Sequence, residues 1–139
     1  MQRAKFQPLR RIPTSGGEVR HGLKASEIDF AGFGEVYFSE VLPGMAKGWK
    51  RHSRMVMNLI VVSGEVRFIV GDGVHFDRFH LSPEVAELYG RLTVPPGLWM
   101  AFGGISRGLN LVCNLASLEH DPAEAELMPL DAMPWNWDS

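Results

Sequence analysis

The stretch Gly44-Met45-Ala46-Lys47-Gly48-Trp49-Lys50-Arg51-His52-Ser53-Arg54-Met55-Val56-Met57, continued by Asn58-Leu59-Ile60-Val61-Val62-Ser63-Gly64, decides the fold. Residues 58–62 form an apolar run of strand length, closed by the turn pair Ser63-Gly64. Residues 65–70 (Glu65-Val66-Arg67-Phe68-Ile69-Val70) then alternate polar and apolar, as a half-buried strand does. Upstream of the run, Lys50 and His52 stand two apart. On a strand they share one face, so a strand through residue 52 points both side chains at the same space.

Working outward, the same rhythm continues. Residues 35–41 are rich in β-branched and aromatic side chains and end at Leu42-Pro43-Gly44. Residues 76–81, 91–94, 98–102 and 109–116 read as further short strands, separated by Gly71-Asp72-Gly73, Pro95-Pro96-Gly97 and Gly103-Gly104. Only residues 83–88 and 122–128 look helical. Many short strands with Gly and Pro turns predict an all-β sandwich or barrel, and a jelly roll is one way to protect its edges. Residues 1–17, with Pro8, Pro13, Gly16 and Gly17, read as a loosely structured basic lead-in, and residues 18–139 as one domain.

Composition narrows the classes. The chain has 139 residues, 45% hydrophobic and 22% charged, enough for one domain with its own core. Fourteen Lys and Arg against 16 Asp and Glu leave a net charge of −2, which argues against nucleic acid as partner. One cysteine, Cys113, excludes an internal disulfide framework and reads as a small buried hydrophobe. No apolar run approaches the ~18 residues of a membrane span, and the N-terminus lacks the apolar stretch of a secretory signal, so no membrane partner and a cytoplasmic location are expected.

The spacing from residue 44 resembles the first motif of single-domain cupins, G-x5-H-x-H-x3,4-E-x6-G. Gly44, Lys50, His52, Met57 and Gly64 fall on it without a gap. Gly90, Pro95, Gly97, Met100 and Gly104 follow the second motif, with Pro95 one residue early. The resemblance implies a cupin-type double-stranded β-helix, or jelly roll. Of its four ligand positions only His52 carries a good metal donor. Lys50 is a cation, and Met57 and Met100 are soft, weak donors, so neither metal nor other cofactor is expected.

Other segments are similar to the dTDP-4-dehydrorhamnose 3,5-epimerase family. They are Phe33 to Gly44, Lys47-Gly48-Trp49-Lys50, Val56 to Ile60, Gly64-Glu65-Val66, Leu92 to Gly97, His120-Asp121-Pro122-Ala123-Glu124 and Leu130 to Trp137. The resemblance implies a homodimeric, metal-independent epimerase of a nucleotide-linked 4-keto-6-deoxy sugar, serving deoxysugar or polysaccharide biosynthesis. Such chemistry needs a base, an acid on the opposite face and a cation near the enolate oxygen. The family's base His falls on Lys50, its Lys on Asn58 and its Tyr on Asn114, while Asp131 stands in for the acidic partner of the base. Lys50 acts either as base or as enolate-stabilising cation with His52 as base. Lys47-Gly48-Trp49-Lys50-Arg51-His52 and Leu115 to His120 also resemble sugar-nucleotide 3,4-ketoisomerases. A sugar-nucleotide-binding cupin without turnover is the non-enzymatic alternative.

The expected catalytic residues are therefore Lys50, His52 and Asp131. Lys47, Trp49, Arg51, Arg54, Asn58, Asn114 and His120 are the expected substrate contacts. Lys47, Arg51 and Arg54 suit phosphate or serve as surface charge. Trp49 is expected to stack a base or sugar ring. Asn58 and Asn114, inside apolar strands, either line the pocket or bond a partner within the fold. His120 is a contact or a turn residue.

Overall fold

Alternation with frequent turns produces twelve short strands, seen in a computed structural model that describes residues 2–137. They are β1 (Lys5–Pro8), β2 (Arg11–Thr14), β3 (Gly17–Arg20), β4 (Glu35–Glu40), β5 (Ala46–His52), β6 (Met57–Ser63), β7 (Val66–Gly71), β8 (Phe76–Leu81), β9 (Gly90–Val94), β10 (Trp99–Gly104), β11 (Leu111–Ala116) and β12 (Ala125–Leu127). Two five-stranded antiparallel sheets form, in the orders β1-β9-β6-β11-β4 and β12-β5-β10-β7-β8, with β2-β3 as a separate hairpin. The expected all-β, cupin-type jelly roll is the observed architecture. Among the described residues no helix is long and apolar enough to cross a membrane.

The inner faces of the two sheets make the main core. Met57, Leu59, Val61, Leu92, Val94 and Val112 of the first sheet meet Val66, Phe68, Val70, Leu81 and Met100 of the second. Strand parity sends their neighbours outward. On the first sheet, Arg91 is fully buried under residues 21–34, bonded to the Gly22 carbonyl and to Glu27 at 2.6 Å, with Asp29 3.6 Å away. On the second sheet, Trp49, Ile69, Trp99 and Ala101 are covered by the C-terminal segment through Met133, Trp135 and Trp137.

Three expectations need correction. The loose lead-in expected over residues 1–17 is, among the described residues, ordered: β1 is an outer strand of the first sheet, with Phe6 opposite Leu92 and packed on the core, and β2 pairs with β3. Four-residue strands with one inward apolar side chain give too little alternation to read, and Pro8 is tolerated only because the strand is at an edge. Residues 83–88 supply only a 3-10 turn at Ala86–Leu88. Residues 122–128 divide into a 3-10 turn, Pro122–Glu124, and β12. The domain's expected last residues, Asp138 and Ser139, lie outside the described residues.

The N-terminal strand carries a prediction. Phe6→Ala should lower unfolding free energy by about 1–2 kcal/mol, since it removes a half-buried ring from a paired strand. Urea denaturation measures this, and an unchanged midpoint would restore the loose lead-in.

Candidate active site

A cavity of about 560 Å³ opens between the two sheets. One wall comes from β5 and β10 with Lys47, Lys50, His52, Met100 and Phe102; the facing wall comes from β4, β6 and β11 with Tyr37, Ser39, Met57, Leu59, Val112 and Asn114. Leu127, Met128 and Pro129 border the rim.

A bulge in β5 lets three polar side chains face inward. Lys50 pairs with Met100, but Lys47 pairs with Phe102, so Gly48 and Trp49 together oppose Ala101. Without the extra residue, Lys47 and Lys50, three apart, would sit on opposite faces. Gly48 permits the bulge: its φ is +144°, and a Cβ there would stand 2.4 Å from the Ala101 Cβ. The Gly48–Trp49 peptide is cis. Lys47 is exposed at the mouth and Lys50 half-buried below it.

His52 ends β5 and is only 4% exposed. Its Nδ1 lies 2.6 Å from Glu124 Oε1, and Glu124 is 5% exposed. The other carboxylate oxygen, Oε2, accepts the backbone N–H groups of Arg54 at 2.8 Å and Met55 at 2.9 Å. Burial by itself would raise the Glu124 carboxyl. The Arg54 amide, the His52 ring and the Met55 amide outweigh it and hold the group down at about 2. An ionised carboxylate only accepts hydrogen bonds, so Nδ1 carries the hydrogen, and the lone pair of a neutral ring so held is on Nε2, directed away from Glu124. Among the described residues nothing bonds the buried Nε2. A turn sets Glu124 in place: Asp121 accepts the Ala123 N–H at 3.0 Å and Pro122 follows it.

On the facing wall, Asn114 donates through Nδ2 to the Tyr37 hydroxyl oxygen at 2.9 Å, and its Oδ1 is buried without a partner among the described residues. The cupin-motif positions Lys50, His52, Met57 and Met100 all border this cavity. As a donor set they do not fit a metal: an ammonium, two thioethers and one imidazole whose Nδ1 is engaged. Among the described residues no three His, Cys, Asp or Glu side chains gather.

The structure brings together Lys47, Lys50, His52 and Asn114, and separates the rest. Trp49 borders the cavity but turns its indole to the outer face, where it is fully buried and donates to the Leu130 carbonyl at 3.0 Å. Arg51 also points outward, stacked 4.6 Å over Trp99 and paired with Glu126 at 2.8 Å. The Arg54 side chain is 64% exposed and lies 3.7 Å from Asp121. Asn58 is buried on the outer face of β6, held by Thr93 at 2.6 Å and the Asp29 carbonyl at 3.1 Å, because Met57 and Leu59 take the inward parity. His120 is exposed in the segment after β11, and its backbone N–H bonds Glu35. Asp131 is exposed in the C-terminal segment over the outer face, and Glu124 holds the position by the imidazole that Asp131 was expected to hold. Glu124, Tyr37 and Ser39 were missed as site residues, though all three lie in quoted motif stretches. Tyr37 and Ser39, two apart in β4, share the inward face.

The WxcM-like, C-terminal family (FdtA) matches residues 2–126. Among solved structures, a dTDP sugar isomerase from Desulfovibrio desulfuricans G20 is 33% identical, with a TM-score of 0.89 over 97% of this chain and 90% of that one. The WlaRB TDP-quinovose 3,4-ketoisomerase from Campylobacter jejuni is 23% identical, with a TM-score of 0.77 over 94% and 96%. ChmJ, a 3'-monoepimerase from Streptomyces bikiniensis in complex with dTDP-quinovose, is 14% identical, with a TM-score of 0.81 over 95% and 74%. These last two share the fold. A search among curated proteins gives no match.

The Glu124 carboxyl makes the dyad visible in acid. Its folded value, about 2, lies below the ordinary 4.5, so its stabilisation is complete above that ordinary value and is lost as pH falls toward the folded one. Wild type should exceed Glu124→Gln in stability by roughly 3 kcal/mol at about pH 6 and by roughly half that at about pH 3. Urea unfolding at both pH values reads this, and a pH-independent difference would refute the assignment.

Proposed function

The chain belongs to the WxcM-like, C-terminal (FdtA) family, and on that premise we propose that it is an isomerase moving a proton beside the ketone of a dTDP-linked 4-keto-6-deoxy sugar, as a 3,4-ketoisomerase. The observation that carries the proposal is the His52–Glu124 dyad: a carboxylate-held imidazole whose residue lines a sugar-sized cavity and whose buried Nε2 has no partner among the described residues. The 33% identical relative, by name a dTDP sugar isomerase, supports the substrate class.

In this reaction Nε2 takes the proton from C3, and the electron pair forms a C3=C4 bond while the C4 oxygen gains negative charge. Lys50, in the same cavity, supplies the cation that stabilises this oxygen. The C3 hydroxyl proton passes to the C4 oxygen, Nε2–H returns its proton to C4, and the carbonyl ends at C3. C3 and C4 are adjacent, so one base on one face serves both transfers. Lys47, at the mouth, suits the diphosphate.

Epimerisation next to the ketone is the second reading. It is favoured by Tyr37, a phenol on the wall facing His52, since inversion needs an acid opposite the base. The 3,5-epimerase residue set is less well supported, because Asn58, which takes the position of that family's Lys, faces away from the cavity. The homodimer belongs to the same proposal; light scattering on the purified protein tests it.

Proton NMR in D2O with dTDP-4-keto-6-deoxyglucose tests the reading. Ketoisomerisation moves the ketone to C3 and places at C4 the proton taken from C3 or a deuteron exchanged for it on Nε2; epimerisation places deuterium at C3 or C5 and leaves the ketone at C4. Binding with neither ketone migration nor incorporation would make the protein a sugar-nucleotide-binding module. His52→Asn should lower kcat by at least about 10³-fold and Lys50→Met by about 10²–10³-fold. Asp131→Asn should leave it within about twofold, as a distant exposed substitution does.

A further inference from the structure

We propose that Asn114 Oδ1 accepts a hydrogen bond from a ring hydroxyl at C2 or C3 of the sugar, making Asn114 the residue that selects hydroxylated over deoxygenated substrates. This rests on the sugar-nucleotide reading above and adds to it the atom that reads the sugar.

Asn114 faces the cavity from β11, between the apolar side chains of Val112 on the same face and Met57 and Leu59 on the neighbouring strand. It is 2% exposed. Its Nδ2 is committed to Tyr37, which leaves a buried carbonyl oxygen with no donor among the described residues. A buried acceptor without a donor is costly, so this oxygen fits a ligand that brings an O–H or N–H.

The second unsatisfied polar atom of the cavity identifies which part of the ligand that is. His52 Nε2, on the facing sheet, must reach a carbon-bound hydrogen of the sugar ring, so the ring lies where both walls can touch it. Lys47 is exposed at the mouth and draws the diphosphate, with the base beyond it, outward. What then faces Asn114 is the ring, whose donors beside the reacting carbons are hydroxyls. A site built to bond a hydroxyl rejects the analogue that lacks it much more strongly than an apolar pocket rejects a missing methylene.

Calorimetric titration of the folded protein with dTDP, dTDP-6-deoxyglucose and its 2-deoxy and 3-deoxy analogues tests this. Asn114→Leu should weaken dTDP-6-deoxyglucose about 10- to 100-fold and leave dTDP within about twofold. Asn114→Ala, which introduces no bulk, should give the same pattern. One deoxy analogue should bind wild type correspondingly weakly and lose little further in either variant, because the same bond is already missing. Equal weakening of dTDP and the sugar nucleotide, or undiminished losses for both analogues in the variants, would overturn the assignment. Failure of wild type to bind dTDP at all would instead bring down the sugar-nucleotide reading and this inference with it.

Discussion

A carboxylate removed from water beside an imidazole is the constraint on which the site depends. Glu124 is tolerated in the interior because each of its oxygens is occupied: one by His52, the other by two backbone amides just past β5. Those bonds join the end of β5 to the turn before β12, and the pairing of Ala125 with His52 continues the join as a ladder. The chain thus spends one ionised group on three tasks: closing the second sheet's edge, holding residues 54–55, and fixing which imidazole nitrogen carries the hydrogen. Removing the carboxylate would loosen strand and imidazole together, so any functional effect at Glu124 has to be separated from loss of fold.

The second constraint is the bulge in β5. A regular strand would give the cavity His52 and Lys50 and send Lys47 outside. The extra residue at Gly48 brings Lys47 back to the inner face while Trp49 and Arg51 remain outside, the first under the C-terminal segment and the second stacked on Trp99. One seven-residue strand therefore supplies the polar side chains of one cavity wall and the aromatic anchor for the chain's end. Substituting Gly48 would disturb both faces, because Ala101 leaves no space for a Cβ.

The parts of this arrangement that were legible in the sequence are those governed by period-two parity and local turns. Strands β4 and β6 through β11 follow from runs bounded by Gly and Pro, and the inward phase of Lys50 and His52 follows from their spacing. Parity misled where burial on the outer face imitates burial within. Asn58 sits in an apolar strand because residues 21–34 cover it, and nothing in residues 57–63 distinguishes that cover from the core. The partner of His52 was missed for a different reason. Glu124 is 72 residues away in the chain, and only the pairing of β12 with β5 brings it close. Asp131 shares its carboxylate chemistry but lies in the segment that crosses the opposite face.

The cupin spacing located the right four positions, yet what stands there changes how charge is managed. Met57 and Met100 make their part of the wall apolar, and Lys50 stands among them. An apolar wall lowers the local dielectric, so an ammonium beside a developing enolate acts more strongly there than it would in water. The same wall penalises every polar atom left unpaired, which is why His52 Nε2 and Asn114 Oδ1 carry more information than the exposed cations at the rim. On the proposed reading, a base that contacts carbon and an acceptor that contacts a hydroxyl, held on facing sheets of a two-layer fold, call for a ligand with both features on one ring. A sugar with a ketone and a neighbouring hydroxyl has them; the nucleotide portion does not.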